Sequence, residues 1–127
     1  MNAPDRLQPA FLDGQVKGLF IDGRSRPALS GQTFATISPS TGEVLAQVAQ
    51  AGKDDIDLAV AAARRAFEGD WSRFKPFDRQ QVMLRLADLV ERHYDELALI
   101  DTLDMGGPIS RTTLGRRRAI ALLRYYA

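Results

Sequence analysis

At Lys53 the spacing of apolar residues changes from two to between three and four, and that switch fixes the order of elements. Ahead of it, short apolar runs are broken by turn residues. Gly18-Leu19-Phe20-Ile21 closes on Asp22-Gly23, Ser30-Gly31 precedes Thr33–Ile37, and Ser38-Pro39-Ser40-Thr41-Gly42 follows. Proline presets φ for such turns and glycine admits the positive φ they need. Residues 43–50 then alternate, with Val44, Ala46 and Val48 on one face. Two or three antiparallel strands are expected, a sheet too small to stand without cover. Residues 1–17 mix charge, proline and glycine and are expected to form a flexible N-terminal arm, leaving 18–127 as the folded portion.

Behind the switch the chain reads as helix. Asp54 is the expected cap of the first, with Asp55 and Asp57 where the helix dipole favours carboxylates. Ile56, Ala59, Val60, Ala63 and Phe67 form its apolar stripe, and Gly69 ends it. A second helix starts near Pro76 or Asp78 and places Val82, Leu86, Leu89, Val90 and Leu97 on one face. A break is expected near His93–Asp95, where Asp95 could cap a separate helix, and Gly106-Gly107-Pro108 is a full stop. A last helix from Ser110 or Thr113 runs through Ile120, Leu123 and Tyr126 with no stop signal, the pattern expected of a chain cut within a helix. Short antiparallel strands followed by three or four helices make an α/β chain.

Composition narrows the function classes. Apolar residues at 45% and charged residues at 26% are globular values, and a net charge of +1 gives no general pull toward nucleic acid or membrane. No apolar run suggests a span, and no export signal is visible in the first residues, so a cytoplasmic protein is expected. The single histidine, His93, lacks partners for a metal site or catalytic dyad and reads as a partly buried structural residue. Trp71, Phe74 and Phe77 read as the filling of a helix–helix junction. Arg111, Arg116, Arg117, Arg118 and Arg124, with Tyr125 and Tyr126, leave open an arginine-mediated nucleic-acid binder or a small helical interaction module. A solvated or interface helix surface is the plainer reading, since acidic helices precede the cluster. No G-x-G-x-x-G or Walker string is present, and Pro108 has no amide to offer a phosphate.

Three segments, in order, carry a resemblance. Asp101-Thr102-Leu103-Asp104-Met105-Gly106-Gly107-Pro108, Phe34-Ala35-Thr36-Ile37-Ser38-Pro39-Ser40-Thr41-Gly42-Glu43-Val44, and Asp55 to Ala63 followed by Phe67 and Trp71 resemble the opening of NAD(P)-dependent aldehyde dehydrogenases. The wording is nearest the γ-glutamyl-aminobutyraldehyde and betaine-aldehyde types. The resemblance runs from about Leu19 to Ala127. It departs at Ser38, where asparagine is usual, at Gly107, where lysine is common, and ahead of the last helix, where an acidic stretch is missing.

The resemblance implies the N-terminal portion of a Rossmann-like nucleotide-binding domain, truncated at its C-terminal end. The complete enzyme would oxidise an aldehyde to a carboxylic acid with NAD or NADP as hydride acceptor, as a homo-oligomer. That chemistry needs a cysteine thiolate to form a thiohemiacetal, and the chain has no cysteine. The family's oxyanion asparagine, water-activating glutamate and cofactor loops lie further along its longer chain. No residue here is therefore expected to be catalytic or to bind cofactor, and the chain alone is expected to be inactive. The resemblance also implies a monovalent cation, K+ or Na+, with Thr36, Ile37 and Asp104 among its ligands. Several oxygens with a single carboxylate suit such an ion.

Overall fold

The computed structural model describes residues 8–127. Four short strands and five helical segments follow one another: β1 (Leu19–Ile21), β2 (Arg24–Arg26), β3 (Thr33–Ile37), β4 (Val44–Ala49), α1 (Lys53–Glu68), α2 (Asp70–Arg73), α3 (Pro76–Met105), α4 (Ile109–Leu114) and α5 (Arg116–Tyr125). The strands make two separate antiparallel hairpins, β1–β2 and β3–β4. Asp22 and Gly23 both take positive φ, 57° and 73°, so the Asp-Gly pair makes the tight turn that its sequence announces. Expected face and observed burial part company in β4, where Val44 is exposed and Ala49 is the buried residue. The register shifts between Thr36 and Ile37, and Lys17 joins β4 from outside the hairpin: its amide donates to Gln47 O and its carbonyl accepts from Ala49 N, both at 2.8 Å.

The expected arm falls partly outside the described residues. From residue 8 to residue 17 the chain is seated on the rest. Leu12 is buried, the Phe11 amide donates to Glu96 Oε1 at 2.9 Å, and the Lys17 ammonium lies 4.7 Å from the Phe11 ring centre.

Helix α1 corrects the expected cap. Gly52 is the N-cap, and Asp55, in the third helical position, accepts the Gly52 amide through Oδ2 at 2.9 Å. Its Oδ1 accepts the Leu29 amide at 3.0 Å. One carboxylate thus caps the helix and ties it to the segment behind β2. Asp55 is only 2% exposed, the largest fully buried side chain in the structure. Asp54, exposed beside it, is left to the helix dipole.

Helix α3 runs unbroken for 30 residues. No glycine or proline interrupts it between Phe77 and Met105. Asp95 does not cap a new helix; it accepts Arg116 Nη1 at 3.3 Å from α5. At the front Asp78 accepts the Lys75 amide at 3.0 Å, and Pro76 occupies the first position, where its missing N–H costs nothing. The expected last helix is two pieces, α4 and α5, meeting at Gly115. Thr112 and Thr113 both turn their hydroxyls back onto Ile109 O, a bond that competes with helix continuation. A side chain at Gly115 would collide with the Tyr94 hydroxyl, 2.6 Å from where Cβ would sit. The Tyr94 hydroxyl itself donates to Thr112 O at 3.0 Å.

The buried residues are mostly small: Ala28, Ala49, Ala62, Ala87 and Ala98, with Leu12 and Ile120. Helix α3 packs α4 and α5 on its small and polar side, through Ala87, Glu91, Tyr94, Ala98 and Thr102. The apolar face read from the sequence is on the other side, and Val82, Leu86, Leu89 and Leu97 are exposed. So are Ile56, Val60 and Phe67 of the α1 stripe. Val90 and Ala59 of the same predicted stripes are half-buried, and among the described residues nothing covers the exposed side chains. His93 shares that bare side of α3 and is exposed, against the expectation of partial burial.

Candidate functional site

The candidate site is the joint between the β3–β4 hairpin and the C-terminal end of α3. The end of α3 is built by Gly106, which takes φ 71° and returns its amide to Thr102 O at 2.9 Å. Only glycine adopts that left-handed turn freely, and here space forbids any larger residue too. A Cβ on Gly106 would stand 2.7 Å from Pro39 Cγ, so the helix end rests directly on the proline of the hairpin turn. The turn is held by its own amides, Ser38 N to Glu43 O at 2.9 Å and Gly42 N to Ser38 O at 2.8 Å.

Across the joint the Thr36 hydroxyl donates to Asp104 Oδ1 at 2.7 Å. These are two of the three residues expected at the cation site, brought together across 68 positions of sequence. The third, Ile37, follows the register shift of β3, pairs with Val44 and is exposed. Among the described residues no group of three or more His, Cys, Asp or Glu side chains could hold a metal. A monovalent ion seeks main-chain and hydroxyl oxygens instead, and the joint presents a hydroxyl and one carboxylate.

Beside the joint lies a mainly apolar cleft of about 430 Å³, lined by Leu12, Ser38, Val44, Leu45 and Leu103 among others. Ser38, at the position where the resemblance leads one to expect asparagine, is 3% exposed. Sequence reasoning marked Ser38 only as a departure. Its burial under the turn, like the Pro39–Gly106 contact, depends on a meeting of distant segments that no local pattern announces.

Two of the five arginines of the basic cluster are matched to α3. Arg116 donates to Asp95 Oδ1 and to Glu91 O, and Arg124 bridges Asp88 Oδ1 at 3.0 Å and Glu91 Oε2 at 2.7 Å. Those two carboxylates hold the Arg124 guanidinium above its usual pKa, the hydrogen bond to Asp88 being the largest single cause, followed by the hydrogen bond to Glu91. Arg116 and Arg124 of α5 are therefore partners of Asp88, Glu91 and Asp95 of α3. Tyr125 and Tyr126 stack edge to face on each other, with ring centres 5.1 Å apart. Trp71 and Phe74 form a ring pair at 5.4 Å with Arg79 over the indole, whereas Phe77 is exposed.

Two antiparallel hairpins lead into helices, with the longest helix pinned back on a hairpin turn, and together they make a short α/β arrangement. The chain belongs to the aldehyde dehydrogenase family, whose model matches residues 27–127. It is 47% identical to the protein DhaS of Bacillus subtilis over 100% of this chain and 26% of that protein. Aminoacetaldehyde dehydrogenase of Pseudomonas aeruginosa is 53% identical over 71% of this chain and 18% of its own length. The NAD+ complex of an aldehyde dehydrogenase from Bacillus cereus superposes with a TM-score of 0.89 at 38% identity, covering 98% of this chain and 26% of that one. The chain thus spans about a quarter of the length of such relatives and matches the N-terminal part of their structures. None of these comparisons supports a nucleic-acid binder or a free-standing interaction module.

Proposed function

We propose that this chain is the supporting part of the nucleotide-binding domain of an NAD(P)-dependent aldehyde dehydrogenase that converts an aldehyde to a carboxylic acid. The observation that carries the reading is the TM-score of 0.89, over 98% of the chain, to a relative solved with NAD+. NAD+ is accordingly the favoured hydride acceptor. The chain's own residues do no chemistry, because a thiolate nucleophile is required and none of the 127 residues is cysteine. Amino-aldehydes are the proposed substrate class, supported by the 53% identity to the aminoacetaldehyde enzyme of Pseudomonas aeruginosa. The complete subunit is proposed to be a cytoplasmic homo-oligomer, in keeping with its globular composition.

Within that enzyme, Thr36, Ile37 and Asp104 are proposed to bind K+ or Na+ at the joint. The convergence of the Thr36 hydroxyl and the Asp104 carboxylate at 2.7 Å supports the assignment. The ion would neutralise the carboxylate and fasten helix end to hairpin.

The test is a graft in which this chain replaces the matching quarter of the Bacillus subtilis relative. NAD+ should bind within about tenfold of the parent's affinity, a loss of less than ~1.4 kcal/mol. A folded graft that does not bind NAD+ would refute the reading. In the same graft, replacing choline by potassium should raise the melting temperature, and Asp104→Asn should remove that rise. A potassium response that survives Asp104→Asn would remove the cation site. In the complete subunit carrying this chain, kcat/KM for 3-aminopropanal should exceed that for propanal, and the reverse order would overturn the substrate class.

A further inference from the structure

The bare face of α3 is the largest unexplained feature of the molecule. At about 100° per residue, Val82, Leu86, Leu89, His93 and Leu97 fall on one side of the helix. The residues that meet α4 and α5, from Ala87 through Tyr94 to Thr102, fall on the opposite side. Leu86 and Leu89 are 43% and 49% exposed. On α1 the same division holds: Asp55 and Ala62 are turned inward, while Ile56, Val60 and Phe67 are exposed, and Val60, Ala63, Arg64 and Phe67 line a shallow groove of about 310 Å³. Apolar stripes of this length are uncommon on a surface meant to stay wet.

We infer that the Val82–Leu97 face of α3 is a docking surface whose occupant is the remaining three quarters of an aldehyde dehydrogenase subunit, and that it binds this remainder even when the two are separate polypeptides. The inference rests on the proposed function and adds to it a specific face and a partner. Two observations select that partner. The backbone already follows the path of a complete relative, with a TM-score of 0.89 over 98% of the chain, although the chain spans only 26% of that protein. A fold so close to the assembled one, with its longest apolar stripe uncovered, is complementary to what the relative has and this chain lacks. In the relatives, moreover, that remainder is continuous with this segment, which makes it, rather than a second copy, the chain that the segment folds with.

Affinity in the split pair comes from apolar burial along α3, with α1 adding to it. The α3 face is present before binding, because α3 is held from its other side by Tyr94–Thr112, Arg116–Glu91 and the Arg124 bridge. A face organised in advance saves the ordering cost of association.

The test is co-expression of the tagged 127-residue chain with the untagged remainder of the Bacillus subtilis relative, followed by affinity capture. The remainder should co-purify in equal amount, and amide exchange from Val82 to Leu97 should slow in the complex. Leu86→Asp with Leu89→Asp should cut capture by at least about a hundredfold, because a carboxylate buried without a partner keeps none of its hydration. Both positions are exposed in the chain itself, so its helical circular dichroism should not change. Arg118→Ala, outside the stripe, should capture normally. Equal capture by the double variant would overturn the inference, as would self-association of the chain through this stripe without capture of the remainder. Should the remainder be insoluble when separate, the fused graft decides. A graft that melts at the same temperature with and without the two aspartates refutes the docking face. NAD+ binding by the graft without association of the split pair overturns the docking inference and leaves the proposed function standing. A folded graft unable to bind NAD+ overturns the function itself.

Discussion

Replacing Asp55 by alanine separates the structural account from the simpler sequence reading, which gives the capping role to Asp54. The Asp55 carboxylate holds two main-chain amides, Gly52 at 2.9 Å and Leu29 at 3.0 Å, and is 2% exposed. Hydrogen bonds to a charged group contribute about 1.5–3 kcal/mol each. Gly52 and Leu29 are themselves exposed residues, so water can partly replace the lost acceptor and the lower end applies. Asp55→Ala should therefore cost about 3 kcal/mol, a shift of roughly a hundredfold in the folding equilibrium. Asp54→Ala loses only a dipole interaction, about 0.3–1 kcal/mol. Asp55→Asn keeps one acceptor oxygen and should fall between the two. Urea unfolding followed by circular dichroism measures the free energies. Amide hydrogen exchange at Leu29 and Gly52 identifies the bonds. An Asp55→Ala variant no less stable than Asp54→Ala, or unchanged exchange at Leu29, would refute the reasoning.

Gly106→Ala should destabilise by about 1–2 kcal/mol from left-handed strain alone, plus the cost of moving Pro39, whereas Gly107→Ala meets nothing within 4 Å and should be nearly silent. Paired thermal melts check this. Leu89→Ala should cost less than about 2 kcal/mol in the isolated chain but about 2–5 kcal/mol in the fused graft, where its face is covered. Equal costs in both settings would show that the face stays wet. The hydrogen bond from Lys17, with the Gln15 amide adding to it, holds the Asp13 carboxyl below its usual pKa. Since the folded pKa is the lower one, this contribution is present at neutral pH and is lost as the pH falls through the folded value. NMR titration should place the Asp13 midpoint below that of an ordinary aspartate, and Lys17→Met should raise it.

The pattern of residues made the element order legible because each switch in period carries its own punctuation. Asp22-Gly23, Gly69 and Gly106-Gly107-Pro108 all stop or turn the chain where expected. The pairing of Thr36 with Asp104 was legible only through the resemblance, since nothing local links two residues 68 positions apart. The capping carboxylate was misplaced by one residue, Asp54 for Asp55, because a carboxylate at the third helical position can reach back to the cap amide, and local sequence does not show which of two adjacent aspartates faces inward. The break expected at His93–Asp95 did not occur. Asp95 is taken up by Arg116, a partner supplied by α5 that periodicity cannot foresee. Burial was the least legible property. The exposed side chains of the α1 and α3 stripes lie on the faces that periodicity marks, but periodicity does not show whether anything covers them.

NADH formation, followed by absorbance with an aldehyde and NAD+ supplied, tests the central claim most directly when the isolated chain and the fused graft are compared. The account predicts no NADH from the chain alone and steady turnover from the graft. Turnover by the chain alone, or a folded, NAD+-binding graft that never forms NADH, would contradict it.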